Sequence, residues 1–264
     1  MGVVRIVATA VALTGAAGAA RLAGQSAAPA QKSAAAQQLR VEVIRAYPHD
    51  RAAFTQGLVW HDGKLFESTG LVGKSSLREV EIETGRVMRR VDVAPPVFAE
   101  GLALVGDELI QLSWQDGRAL RYDRTTFARK GDFSYRGEGW GLCRDGASLV
   151  MSNGSANLTF RRPADFGVTK VVTVTLEGRP LPQLNELECA EGAVYANVWM
   201  RDLIVRIDPA TGRVTHRIEV PPLLSPIEQQ GVDVLNGIAY DPTSKTFLIT
   251  GKLWPKLFRV RFAG

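Results

Sequence analysis

One short pattern returns five times after residue 40, and recurrence at a fixed spacing constrains architecture more tightly than composition does. Gln56-Gly57-Leu58 precedes the run Lys64-Leu65-Phe66-Glu67-Ser68, and Glu100-Gly101-Leu102 precedes Glu108-Leu109-Ile110-Gln111-Leu112. Trp140-Gly141-Leu142 precedes Ser148-Leu149-Val150-Met151-Ser152, and Asn185-Glu186-Leu187 precedes Ala193-Val194-Tyr195-Ala196-Asn197. Asn236-Gly237-Ile238 precedes Thr246-Phe247-Leu248-Ile249-Thr250. The starts lie 40 to 51 residues apart, which is the length of a four-stranded sheet unit.

The runs alternate apolar and polar residues, as half-buried strands do: Val80-Glu81-Ile82-Glu83, Leu203-Ile204-Val205-Arg206-Ile207 and Leu257-Phe258-Arg259-Val260-Arg261-Phe262. Turn dipeptides punctuate them: Asp62-Gly63, Thr84-Gly85, Asp116-Gly117, Asp145-Gly146 and Thr211-Gly212. No long amphipathic helical stretch interrupts the body. One such unit cannot bury both faces, so the units must stack. The spacing predicts an all-β, five-bladed β-propeller over residues 41–264. The last unit is short of strands, so the strand expected at 41–47 would complete it and remove an exposed edge. An open sandwich of similar strands is the alternative.

The first 40 residues read differently. A basic start at Arg5, an Ala-rich apolar run to Ala20 and the small residues Ala17-Gly18-Ala19 predict a signal peptide over residues 1–20. Arg5, Thr14 and several glycines break the run, which disfavours the alternative of a membrane anchor. Residues 21–40, rich in Ala, Gln, Ser and Pro, predict a flexible spacer. The expected location is therefore the periplasm or the exterior, with no stable membrane insertion. The formal charge of +5 includes Arg5, Arg21, Lys32 and Arg40, which leaves about +1 on the body. A near-neutral body of mixed sign carries no basic stripe, which argues against a nucleic-acid partner. Cys143 and Cys189 are too few for a disulfide scaffold or a four-ligand zinc site. An exported chain permits one bond between them, and two buried free thiols are the alternative.

In a propeller the residues flanking the inner strands converge at one mouth. Here these are Phe54, Thr55, Gln56, Glu67, Glu100, Trp114, Glu138, Trp140, Asn153, Asn185, Glu186, Asn197, Trp199, Asn236, Lys252 and Trp254. Four of the five tryptophans fall at equivalent edges of different repeats, which predicts an aromatic bowl holding a few polar groups. Blade-to-blade packing is the alternative use for them. Burial in such a bowl would raise the pKa of Glu100 and let it pass protons near neutral pH. Lys252 could polarise a carbonyl and Asn185 could donate to the same oxygen. A loop cap, a solvated charge and a turn residue are the bland readings of those three. No phosphate loop, nucleophile elbow or His-Glu-x-x-His motif is present. His49, His61 and His216 occupy unequal places in the repeat, which argues against histidine-based zinc or triad chemistry.

Across residues 43–262 the sequence resembles the plant and bacterial type of glutamine cyclotransferase. The resemblance rests on Phe54-Thr55-Gln56-Gly57-Leu58, Glu67-Ser68-Thr69-Gly70, Glu100-Gly101-Leu102, Glu138-Gly139-Trp140-Gly141-Leu142, Asn185-Glu186-Leu187-Glu188, Asn197-Val198-Trp199, Leu235-Asn236-Gly237-Ile238-Ala239 and Thr250-Gly251-Lys252-Leu253-Trp254-Pro255. It implies a five-bladed propeller that converts N-terminal glutamine of peptides or proteins to pyroglutamate and releases ammonia. By motif, Glu100 matches the family's proton-shuttling acid, while Asn185 and Lys252 match the groups that hold and polarise the amide. Trp140 and Trp199 match its aromatic walls, and Gln56 and Trp114 match positions near the pocket. The resemblance implies no catalytic zinc or other required cofactor, with room for a structural cation, and a monomer is expected. Ser113-Trp114 departs from an expected Thr-Trp pair. Residues 221–235 lengthen the last repeat and are expected to form a rim loop that shapes which peptides enter. Two other functions compete: a propeller that binds peptides without turnover, and a metal-dependent propeller hydrolase.

Overall fold

The computed structural model describes residues 35–264. The signal peptide expected over 1–20 and most of the expected spacer lie outside the described residues. The described chain is built from strands, with no helix. β1 runs Gln37–Pro48. The first unit is β2 (Thr55–His61), β3 (Lys64–Thr69), β4 (Ser76–Glu81) and β5 (Arg86–Asp92). The second is β6 (Ala99–Val105), β7 (Glu108–Ser113), β8 (Arg118–Asp123) and β9 (Arg129–Ser134). The third is β10 (Leu142–Asp145), β11 (Ser148–Met151), β12 (Asn157–Arg161) and β13 (Val168–Thr173), followed by a two-stranded ribbon of β14 (Thr175–Leu176) and β15 (Arg179–Pro180). The fourth is β16 (Leu184–Ala190), β17 (Ala193–Val198), β18 (Leu203–Ile207) and β19 (Val214–Glu219). β20 (Leu235–Asp241), β21 (Thr246–Gly251) and β22 (Lys256–Ala263) end the chain.

Within each unit, neighbouring strands pair antiparallel in sequence order. The tight turns follow from their residues. Asp62-Gly63 and Glu191-Gly192 both take positive φ at both positions, the backbone that a two-residue hairpin with matching twist requires. β1 supplies the fourth strand of the last unit by pairing antiparallel with β22 from Arg40↔Ala263 to Pro48↔Lys256. It starts at Gln37, four residues before the expected strand, because Gln37–Leu39 also pair parallel with His216–Ile218 of β19. β1 thereby fuses the fourth and last units into one eight-stranded sheet beside three separate four-stranded sheets. The result is a propeller-like arrangement of small sheets.

The core lies between sheets. Phe66 and Leu77 of the first unit pack with Leu102, Leu109 and Leu120 of the second. Ile110 and Leu112 meet Leu142 and Leu149 of the third, and Val150 and Leu158 meet Leu187 and Val194 of the fourth. Ile204 and Ile218 pack with Ile238 and Ile249 of the last unit. Leu58 and Leu65 close the circuit against Ala239, Leu248 and Leu257. Truncating one of these fully buried leucines to alanine removes about 2–5 kcal/mol. A disulfide joins Cys143 on β10 to Cys189 on β16, with Cα atoms 5.4 Å apart, so the bonded alternative is the one realised.

Candidate active site

The first strands of the units carry the recurring pattern, and four of them bulge there. The pairing register shifts between Thr55 and Gly57, between Ala99 and Leu102, between Leu184 and Leu187, and between Leu235 and Ile238. A bulge inserts an extra residue and re-aims its side chain. Gln56, Glu100 and Asn185 occupy these bulges and are turned, with Trp140 from the third unit, into one cavity of about 490 Å³. The other walls come from residues just before a first strand (Phe54, Phe98 and Asp233) and just after a second strand (Trp114, Trp199, Met200 and Lys252). The volume falls within the range of small-ligand pockets.

Glycine is required behind this layer because the first strands approach closely. A Cβ on Gly57 would lie 2.5 Å from the Leu102 nitrogen, and one on Gly101 would lie 2.6 Å from the Leu142 nitrogen. The fourth unit has Glu186 at the equivalent place. It is fully buried and accepts hydrogen bonds from the amides of Leu58 (3.3 Å) and Ile238 (2.8 Å). One carboxyl thus ties β16 to β2 and β20. Burial pushes its pKa well above the usual carboxylate range and the Glu188 charge adds to this, while the two amides oppose.

The polar groups of the cavity form an ordered chain. Asn236 Nδ2 donates to Gln56 Oε1 (3.2 Å), and Gln56 Nε2 donates to Glu100 Oε1 (3.0 Å). Asn236 lies beneath Gln56 and fixes which way its amide points. Glu100 is buried, and burial pushes its pKa well above the usual range; Lys252 pulls it down and Glu138 pushes it up. Lys252 is also buried, which lowers its pKa against the pull of Glu100 and Asp233. Its ammonium sits 4.8 Å from the centroid of the Phe54 ring. Facing charges in so apolar a setting interact more strongly than in water.

The aromatic walls are held from outside. Glu138 Oε2 accepts the indole N–H of Trp114 and of Trp140, each at 2.9 Å, and its Oε1 accepts Gln115 Nε2 at 3.2 Å. The Trp140 bond, countered by slight burial, and the bonds from Gln115 and Trp114 hold Glu138 below the usual range. Trp140 meets Trp199 edge-on at 5.5 Å, and Phe98 packs with Phe54 and Trp114.

All seven residues singled out for chemistry or binding (Glu100, Asn185, Lys252, Gln56, Trp114, Trp140 and Trp199) line this one cavity. Others from the expected mouth do not. Glu67 is fully buried in an ion network, accepting Thr55 Oγ1 (2.7 Å), Arg78 Nη2 (2.6 Å) and His49 Nε2 (3.1 Å). Its strand pairs in register with β4, which delivers Arg78 directly opposite. Trp254 is buried beside the cavity, its indole N–H donating to the Asp233 carbonyl (3.0 Å). Asn153 caps its own loop at Ser155, and Asn197 accepts the Gly237 amide. Phe98, Met200 and Asp233 escaped sequence reasoning. Phe98 stands two residues before Glu100 as Phe54 stands before Gln56, a signal that the repeat contained. Among the described residues, no group of three or more His, Cys, Asp or Glu side chains is placed to hold a metal ion.

Comparison with known proteins fits this geometry. Residues 16–262 match the family model described as glutamine cyclotransferase. A glutaminyl-peptide cyclotransferase of Arabidopsis thaliana is 40% identical over 226 residues, covering 84% of this chain and 71% of the relative. The crystal structure of Myxococcus xanthus glutaminyl cyclase superposes with a TM-score of 0.81 at 41% identity, covering 86% of this chain and 98% of that one. With a family model matched over residues 16–262 and relatives 40–41% identical across 84–86% of the chain, the protein belongs to the glutamine cyclotransferase family.

Proposed function

We propose that the chain converts N-terminal glutamine of peptides or proteins to pyroglutamate, releasing ammonia. The observation that carries this is the buried Glu100 carboxyl, oriented by Gln56 in a cavity shared with Asn185 and Lys252. The names of the Arabidopsis and Myxococcus relatives support the same chemistry.

The substrate's α-amine attacks the γ-amide carbon of its own side chain. A free α-amine has a pKa of about 7.7–8.0, so a useful neutral fraction exists near pH 8. Glu100, ionised, accepts a proton from the attacking amine as the C–N bond forms. It returns that proton to the amide nitrogen as the old C–N bond breaks and ammonia leaves. A carboxyl whose pKa is raised toward that of its partners does both steps better than an ordinary one. Lys252 and the Asn185 amide stabilise the oxyanion, and the tryptophan walls fold the glutamine so that amine and carbon meet at about 3–3.5 Å. In the same reading the stacked sheets form a five-bladed β-propeller closed by β1, and residues 41–264 are its catalytic domain. The protein is exported, works as a monomer and needs no metal cofactor for turnover.

Incubating a Gln-initiated peptide with the protein near pH 8, with and without chelator, tests this. The expected product is lighter by one ammonia, with unchanged yield in chelator. A folded protein that leaves several such peptides intact contradicts the reading. A chelator-sensitive product that has gained water instead favours the metal-dependent hydrolase.

A further inference from the structure

A second depression adjoins the cavity, separated from it by a thin partition. The Asp233 amide donates to the Lys252 carbonyl and the Lys252 amide to the Val234 carbonyl, both at 2.9 Å. Lys252 lines the cavity, whereas Trp254, two residues on, lines the groove beyond. Asp233 lines both. The groove measures about 430 Å³ and lies between the fourth unit and the 221–235 segment.

Its lining has two parts. Leu223, Leu224, Val232 and Trp254 give it an apolar base, while Asp202 and Asp233 bring carboxylates. Both aspartates are exposed residues. No Lys, Arg or His lines the groove; among the described residues neither carboxylate is within ion-pair distance of a cation, and Asp233 feels the Lys252 ammonium only across the partition. A peptide whose first residue fills the cavity must leave over its rim. The following residue lies only about 3.3–3.6 Å further along an extended chain, and a long side chain extends that reach.

We propose that this groove receives the side chain of the residue following the glutamine, favouring an apolar stem with a cationic end, as in arginine or lysine. The inference rests on the cyclotransferase reading. The stem covers the leucines and Trp254, and the cation stays in water beside Asp202 and Asp233. Contacts so far from the reacting amide act equally on ground and transition states, so they lower KM and leave kcat alone.

The test compares equal-length peptides beginning Gln-Arg, Gln-Leu, Gln-Gly and Gln-Glu, on wild type and on Asp202→Arg. Two exposed attractions, set against two repulsions, give an expected KM for Gln-Arg about tenfold below that for Gln-Glu, narrowing in high salt. Asp202→Arg is expected to shrink that ratio at least threefold while Gln-Gly turnover is unchanged. Gln-Gly turnover with equal KM for all second residues overturns the inference and leaves the activity standing. So does a preference that Asp202→Arg leaves intact. No Gln-Gly turnover by folded wild type overturns the activity, and the groove's role falls with it.

Discussion

Glu186 offers a quantitative test of how the first strands are held together. It takes the place that glycine fills in the other four units, and its carboxyl serves the buried amides of Leu58 and Ile238 on two other units. Glu186→Ala removes both acceptors and leaves a hole. Each stranded buried amide costs about 1–3 kcal/mol. Relief from burying a carboxyl, and water entering the hole, return part of this, leaving a net loss of about 3 kcal/mol. For a domain of this size each kcal/mol shifts Tm by about 2–4 °C, so melting should fall by about 6–12 °C. Glu186→Gln keeps one acceptor but turns an N–H donor toward the other amide, and should fall by roughly half as much. Circular dichroism melts of the three proteins at one pH measure this directly. An alanine variant melting within about 2 °C of wild type would refute the claim that this carboxyl braces the ring.

Three further outcomes follow from other contacts. Glu138→Gln exchanges two charge-assisted bonds to indoles for neutral ones, so kcat/KM should drop about three- to tenfold with Tm little changed; steady-state kinetics and tryptophan fluorescence check it. Replacing both cysteines by serine opens a link spanning 46 residues, worth about 4 kcal/mol in the chain-entropy model and less if the reduced chain keeps structure; calorimetry of the Cys143→Ser/Cys189→Ser protein should show a Tm lower by about 8–16 °C. His49 is opposed by burial yet raised above 6.5 by Glu67 and by its bond to the Trp254 carbonyl, whereas Glu67, despite its own burial, is depressed far below 4.5 by Arg78 and His49. The His49 contribution is therefore complete below about pH 6.5 and fades as pH rises through the folded value, and the Glu67 contribution is complete above about 4.5 and fades as pH falls. The Tm gap between wild type and His49→Gln should be widest from about pH 4.5 to 6.5 and should narrow in alkali.

The repeat made the strand units, their order and the closing role of the first strand legible, because period-two alternation and turn dipeptides are local signals. It also placed eight of the eleven cavity residues at the mouth, since equivalent places in stacked units converge, and the family resemblance singled out seven of those eight. What it could not convey was direction. Glu67 lies in a second strand and Glu100 in a first, yet one turns into a buried ion network and the other into the cavity. The difference is set by Arg78 and His49, whose approach depends on register and on how the chain ends meet. Trp254 reads like Trp114 and Trp199 in sequence, but it follows Lys252 by two residues in a loop that folds back onto Gly251 and Asp233. The disulfide was undecidable because nothing in the spacing of Cys143 and Cys189 places β10 beside β16. The bulges were invisible because they arise from pairing between strands.

In the proposed reaction Glu100 moves the proton. Glu100→Gln preserves shape, and its amide oxygen can still accept from Gln56. The decisive measurement is kcat for ammonia release from a Gln-initiated peptide near pH 8, with Tm recorded alongside. The expected result is a fall of about 10²–10⁴-fold with Tm near that of wild type. A variant that folds and keeps kcat within a few-fold of wild type would contradict it.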